Sequence, residues 1–141
     1  MKNREGFTLI ELMIVVVILA LLATIAIPNF IKIQGRAKEA KVKGAAHTLQ
    51  LTAEDFAVRN GGIYSDAQAE LLPLLPVNKN GTRNLENSFT GIFSEPQFAA
   101  GATTSGQVGI VGVADATGAV SGYLINGWGI KDEILLISNG N

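Results

Sequence analysis

Cysteine is missing from the 141 residues, so no disulfide framework, thiolate metal site or thiol nucleophile exists and the fold must hold by packing. Histidine occurs once, at His47, which excludes a histidine-based zinc cluster and leaves no Ser/His/Asp pattern to defend. No catalytic residues, no metal and no cofactor are therefore expected, and the chain reads as something other than an enzyme. Net charge is also scarce, at a formal -1, so nothing pulls the molecule as a whole toward nucleic acid or a charged substrate. A chain of this length has room for one small domain and one additional apolar element.

What the sequence does have is an apolar run at its start. From Leu12 to Ile27 every residue except Thr24 is apolar, and with Phe7, Leu9 and Ile10 the segment reaches the about 20 residues a bilayer-crossing helix needs. A secretory signal would end in a small-residue cleavage site, whereas this run continues through Pro28 into a helical pattern, so the segment is read as retained. Apolar or small residues then recur at Phe30, Ile33, Ala37, Ala40, Gly44 or Ala45, Leu49, Thr52 and Phe56, the period of an amphipathic helix. Asn60-Gly61-Gly62 supplies the residues that close it. Pro28 lacks an N–H, and its ring clashes with the carbonyl near Thr24, so a kink or local melting is expected between Ala20 and Pro28.

Residues 63 to 98 are rich in turn formers and read as a connecting loop with a short helix across Asp66 to Leu75. Gln107 to Ala114, Val120 to Asn126 and Glu133 to Ser138 read as an antiparallel meander, with turns at Asp115 to Gly118 and Gly127-Trp128-Gly129. The expected class is α+β: one long kinked N-terminal helix packed on a small antiparallel sheet.

The run Gly6-Phe7-Thr8-Leu9-Ile10-Glu11-Leu12, preceded by Lys2 and Arg4, resembles the prepilin cleavage and methylation motif of type IV pilins and type II secretion pseudopilins. Tyr64 followed by Leu71-Leu72-Pro73 is similar to the segment that often follows their long helix, while Ala20 departs from the glycine many pilins carry there. The resemblance implies a leader over residues 1–6, a transmembrane and assembly half over 7–29, and a globular pilin domain over 30–141 that includes the amphipathic half of the helix. It implies cleavage by a prepilin peptidase between Gly6 and Phe7, N-methylation of Phe7, and a helix kink at Pro28. Assembly would run through Phe7 and Glu11, with the carboxylate drawing in the new amine of a neighbouring subunit. Implied partners are identical or related pilin subunits, the peptidase, an inner-membrane assembly platform and, before assembly, the membrane. The implied product is an extracellular type IV pilus filament, with a type II secretion pseudopilus as the alternative and a membrane-anchored binding module that never polymerises as a reading from another class. The tail from Gly127 offers only Asp132 and Glu133 as carboxylates, against the acidic calcium loop of major pseudopilins.

On physical grounds Glu11 is the one ionisable group in the apolar stretch, costing about 3 kcal/mol if lipid-exposed, so it needs a partner or a proton. Lys32, Arg36, Lys38, Lys41 and Lys43 follow the stretch and outweigh Lys2 and Arg4. By the positive-inside rule they would hold the domain in the cytoplasm, against the outside placement that the resemblance implies. They read as a solvated helix face with inter-subunit pairing; anionic lipid and DNA are the sharper alternatives, and nothing in the spacing selects nucleic acid. Gly106, Gly109 and Gly112 read as strand glycines, since no Gly-Lys-Ser/Thr follows. Asn80-Gly81-Thr82 fits a glycosylation sequon but reads better as a turn.

The junction gives the first prediction: intact-mass measurement of assembled subunits should return a chain that starts at Phe7 and carries one extra methyl group. Subunits that retain Met1 to Gly6 would contradict it.

Overall fold

The computed structural model describes residues 6–139. The chain divides into two compact units, Met1–Gly35 and Arg36–Asn141, and helix α1, Leu9–Arg59, contributes to each. In the first unit its large apolar side chains are all exposed, Leu9 at 76% and Ile25 at 69% among them. This stretch is long and apolar enough to cross a membrane. The expected melting between Ala20 and Pro28 is not found: helical geometry runs through Pro28 without a break. Side chains add bonds around the ladder position that proline vacates. The Thr24 hydroxyl donates to the Ala20 carbonyl at 2.9 Å, and the Asn29 amide donates to the Ile25 carbonyl at 3.2 Å.

In the second unit α1 buries Val42, Ala46, Leu49, Thr52, Ala53 and Ala57. This is a different face from the one periodicity selected. Phe30, Ile33, Ala37, Ala40 and Gly44 are exposed, and only Leu49 and Thr52 of the expected set are fully buried. The helix carries small or apolar residues on two faces, and a 3.6-residue period cannot tell which one the domain covers. The buried stripe is mostly small, which brings strand backbone close to the helix. A Cβ on Gly127 would sit 2.9 Å from the Val42 side chain, so the sheet approaches here only because that residue is glycine. The helix ends as expected, with Gly61 and Gly62 at φ 68° and 92° and the Gly62 N–H donating to the Ala57 carbonyl at 2.8 Å.

After the helix come α2, Gln68–Leu71, and a 3₁₀ turn, Leu72–Leu74, within the short helix expected across Asp66 to Leu75. The segment read as a loop also holds strands β1, Leu85–Glu86, β2, Phe93–Glu95, and β3, Gln97–Phe98. At two or three residues each they are too short to show a period-2 signal. The meander stands where the sequence placed it, as β4, Val108–Ala114, β5, Val120–Trp128, and β6, Glu133–Ser138. Gly127 and Trp128 extend β5 and do not form the turn expected there. The four-stranded sheet is ordered β3-β4-β5-β6, and β3 runs parallel to β4, so it is mixed where a purely antiparallel sheet was expected. In register, Val108 faces Gly127, Ile110 faces Ile125 and Ile125 faces Ile137, which lines up one apolar face against Leu49, Ala53 and Leu71.

Two carboxylates tie the periphery to this core without a disulfide. Glu54 of α1 accepts from the Tyr123 hydroxyl at 2.7 Å, the Tyr64 hydroxyl at 3.0 Å and the Asn139 amide at 3.2 Å. Burial, then the bond to Glu54, pushes both tyrosine hydroxyls above their ordinary range, and the rings meet edge to face at 5.2 Å. Glu95, 1% exposed, accepts from Asn87, Ser94, Gln97 and the Val108 N–H at 3.2–3.3 Å, joining the β1–β2 hairpin to β4.

The position of the buried face yields a prediction. Leu49→Ala should lower the stability of the detergent-solubilised chain by about 2–5 kcal/mol in denaturant unfolding. Leu51→Ala, at a residue 71% exposed, should stay within about 0.5 kcal/mol of the parent. Equal losses would place the core on the wrong face.

Candidate assembly site

Three described residues precede the helix. Gly6 and Phe7 are exposed and non-helical, and nothing lies within 4 Å of where a Gly6 Cβ would be. The Gly6-Phe7 bond thus lies on exposed, non-helical backbone just ahead of α1. Lys2 and Arg4, the basic residues of the expected leader, lie outside the described residues.

Thr8 and Glu11 then close the helix start on themselves. The Thr8 N–H donates to Glu11 Oε2 at 2.9 Å, the Thr8 hydroxyl donates to the same oxygen at 2.6 Å, and the Glu11 N–H donates to Thr8 Oγ1 at 3.3 Å. This is a capping box, in which an N-cap threonine and a glutamate three residues on satisfy two of the backbone donors a helix start leaves unpaired. The carboxylate also lies where the positive end of the helix dipole favours it. Sequence reading singled out Glu11 for its isolation among apolar residues and missed this local bond, although Thr8-Leu9-Ile10-Glu11 spells the signature. Both bonds fall on Oε2; among the described residues Oε1 accepts none. The carboxylate is therefore anchored by one oxygen, beside the residue that would carry the new amine, with a second oxygen to offer.

The structure brings Phe7, Thr8 and Glu11 to one exposed helix start, while Pro28 stands well along the same helix. From Leu9 to Val17 the flank of that start is an open apolar surface lined by Leu9, Leu12, Met13, Val16 and Val17. The other candidates are ordinary. His47 faces solvent beside Gln50 at 3.2 Å. Asn78 Oδ1 accepts from the N–H groups of Asn80 and Thr82, which makes the sequon a side-chain-stapled turn. Gly109 and Gly112 lie in β4, and a Cβ on Gly109 would meet the Ala100 carbonyl at 2.3 Å. Glu133 gives one oxygen to Asn126, and no group of three or more histidine, aspartate or glutamate side chains converges among the described residues.

Residues 1–27 match the family described as prokaryotic N-terminal methylation motif. Over 70 residues the chain is 54% identical to the type IV major pilin protein PilA of Myxococcus xanthus, covering 50% of this chain and 31% of that one. It is 38% identical over 74 residues to the type IV wide pilus major component PilA4 of Thermus thermophilus, covering 52% and 56%. It is 31% identical over 85 residues to the type II secretion system core protein G of Escherichia coli, covering 55% and 59%. The chain thus spans less than two thirds of the length of each of these relatives. No solved structure matches it. Motif and relatives together support the type IV pilin and pseudopilin family.

The capping box makes its own prediction. Thr8→Val should remove about 1 kcal/mol of N-terminal helix stability, seen as roughly fivefold faster amide exchange at Glu11 and Leu12, the amides that donate to Thr8, in detergent micelles, with the meander unchanged. Unaltered exchange at those amides would show that the box does not hold the helix start.

Proposed function

We propose that this chain is the structural subunit of an extracellular type IV pilus filament. It is made as a single-pass inner-membrane precursor, cut by a prepilin peptidase between Gly6 and Phe7, N-methylated on Phe7, and polymerised with identical or related subunits by an inner-membrane assembly platform. The observation that carries the reading is the helix start: a carboxylate held at Glu11 by the Thr8 N–H at 2.9 Å, on a helix segment whose large apolar side chains from Leu9 to Ile33 are all exposed. In a bilayer such a surface faces lipid, outside it the surface is unpartnered, and packing copies of it together converts it into a filament core. On assembly the Phe7 amine of one subunit pairs with Glu11 of the next, which stabilises both charges away from water. Pro28 is then the point at which the helix bends to pack.

A pseudopilin of a type II secretion system is the second reading, and the likeness to protein G is the observation that favours it. Against it stands the carboxylate-poor tail. An anchored binding module would need no amine at Phe7 and no carboxylate at Glu11.

Glutamine also serves as the third helical residue of a capping box, so Glu11→Gln keeps the cap and deletes the charge. The expected result is normal membrane insertion and cleavage, with sheared-filament yield per cleaved subunit at least about tenfold lower, since an uncompensated buried amine costs several kcal/mol. A yield ratio equal to that of the parent chain would rule the pairing out.

A further inference from the structure

The cationic segment that follows the apolar run has no assigned role, and its surroundings decide between the roles open to it. Arg36, Lys38, Lys41 and Lys43, offset by Glu39 alone, put three net positive charges into eight residues of a chain whose total is -1. Arg36, Lys41 and Lys43 are exposed. Among the described residues the sole ion pair is Arg59 with Asp55, so none of the three is neutralised by its own domain. Glu39, the nearest anion in sequence, turns to the Ile130 N–H at 3.4 Å. Lys38 is used otherwise, with its ammonium 5.3 Å from the centre of the Phe89 ring.

The free cations also do not share a face. At 100° per residue Arg36 and Lys43 lie on one side of the helix, in line with the exposed Lys32 about a turn earlier, and Lys41 lies nearly opposite, while the face between them that carries Val42 is covered by the sheet. A strand of nucleic acid or an acidic peptide would engage one side and leave Lys41 out; a helix emerging from a bilayer meets headgroups on every side that its domain leaves open. Arg36 to Lys43 rises about 10 Å, comparable with the Debye length at physiological salt, so all three can feel one charged surface.

We propose that Arg36, Lys41 and Lys43 form a collar that binds the anionic headgroups of the leaflet from which the domain emerges, holding the precursor at a fixed depth until it is assembled. This rests on the reading of the chain as a membrane-spanning precursor. It also gives the charges that oppose the positive-inside rule a partner on the far side of the membrane. Each subunit must then shed these lipids on entering a filament, so anionic lipid sets part of the barrier to extraction.

The test uses the full chain reconstituted into phosphatidylcholine vesicles containing 30% phosphatidylglycerol, with spin-labelled versions of the two lipids reporting which one the protein immobilises. Carbonate-resistant insertion is checked first, and failure to insert would overturn the membrane reading together with the collar. With insertion secured, the expected result is about threefold preference for phosphatidylglycerol, lost in 0.5 M NaCl and in the R36Q/K41Q/K43Q variant, while K38Q, which touches Phe89, keeps most of it. No preference in the parent chain, or an unchanged preference in the triple variant, would overturn the proposal. So would its abolition by free inorganic phosphate at matched ionic strength, which would assign the charges to a soluble anion. Duplex DNA binding by the triple-variant-sensitive residues in neutral detergent, without lipid preference in vesicles, would assign them to nucleic acid and overturn it equally.

Discussion

A carboxylate placed where the chain is otherwise apolar sets the terms for the rest of this molecule. Glu11 cannot stay charged in hydrocarbon without donors, and the single chain supplies them from Thr8, three residues away. That arrangement uses one oxygen and leaves the other open among the described residues. The proposed cleavage ahead of Phe7 would create a partner for it, a cation on the residue next to Thr8. The amine would itself sit poorly at the positive end of its own helix dipole, which favours its capture by a carboxylate. A bond made first within the subunit and completed between subunits accounts for both the isolation of Glu11 in the sequence and its satisfied state in the fold.

The second unit serves the same helix by a different kind of packing. Val42, Ala46, Ala53 and Ala57 are small enough that β5 comes close at Gly127, and Leu49 fills the space between helix and sheet. With no cysteine to fix the chain end, Glu54 gathers Tyr64, Tyr123 and Asn139, and so holds the loop after the helix, the central strand and the C-terminal segment to one point on α1. Removing Glu54 would leave the buried Tyr123 and the half-buried Tyr64 hydroxyls without this acceptor, a larger loss than any one of these bonds is worth. Glu95 performs the equivalent service for the irregular segment between α2 and β4.

How much of this could be read in the residues depends on the range of the forces involved. The helix end at Asn60-Gly61-Gly62 and the strands β4 and β6 are local in origin, and they stand where the sequence placed them; the N-terminal methylation motif is local too and is matched over residues 1–27. The capping box is equally local, spelled by Thr8-Leu9-Ile10-Glu11. The buried face of α1 was not legible, since Ala37, Ala40 and Gly44 look as suitable for a core as Ala46 and Ala53 do, and the choice is made by a sheet more than fifty residues away. Proline at position 28 suggested melting, yet an isolated helix tolerates one missing bond when Thr24 and Asn29 add others. The donors around Glu95 come from four separate positions, including Asn87 and Val108, and no short-range pattern announces them.

The proposed pairing of Glu11 with a neighbour's amine can be measured directly in mixed filaments. One population of subunits carries ¹⁵N at the Phe7 amine and the other ¹³C at the Glu11 carboxyl, so only contacts between subunits couple the two labels in solid-state NMR. The account predicts dipolar coupling equivalent to a separation of about 4 Å or less. Mixed filaments in which the two labels show no dipolar coupling would contradict it.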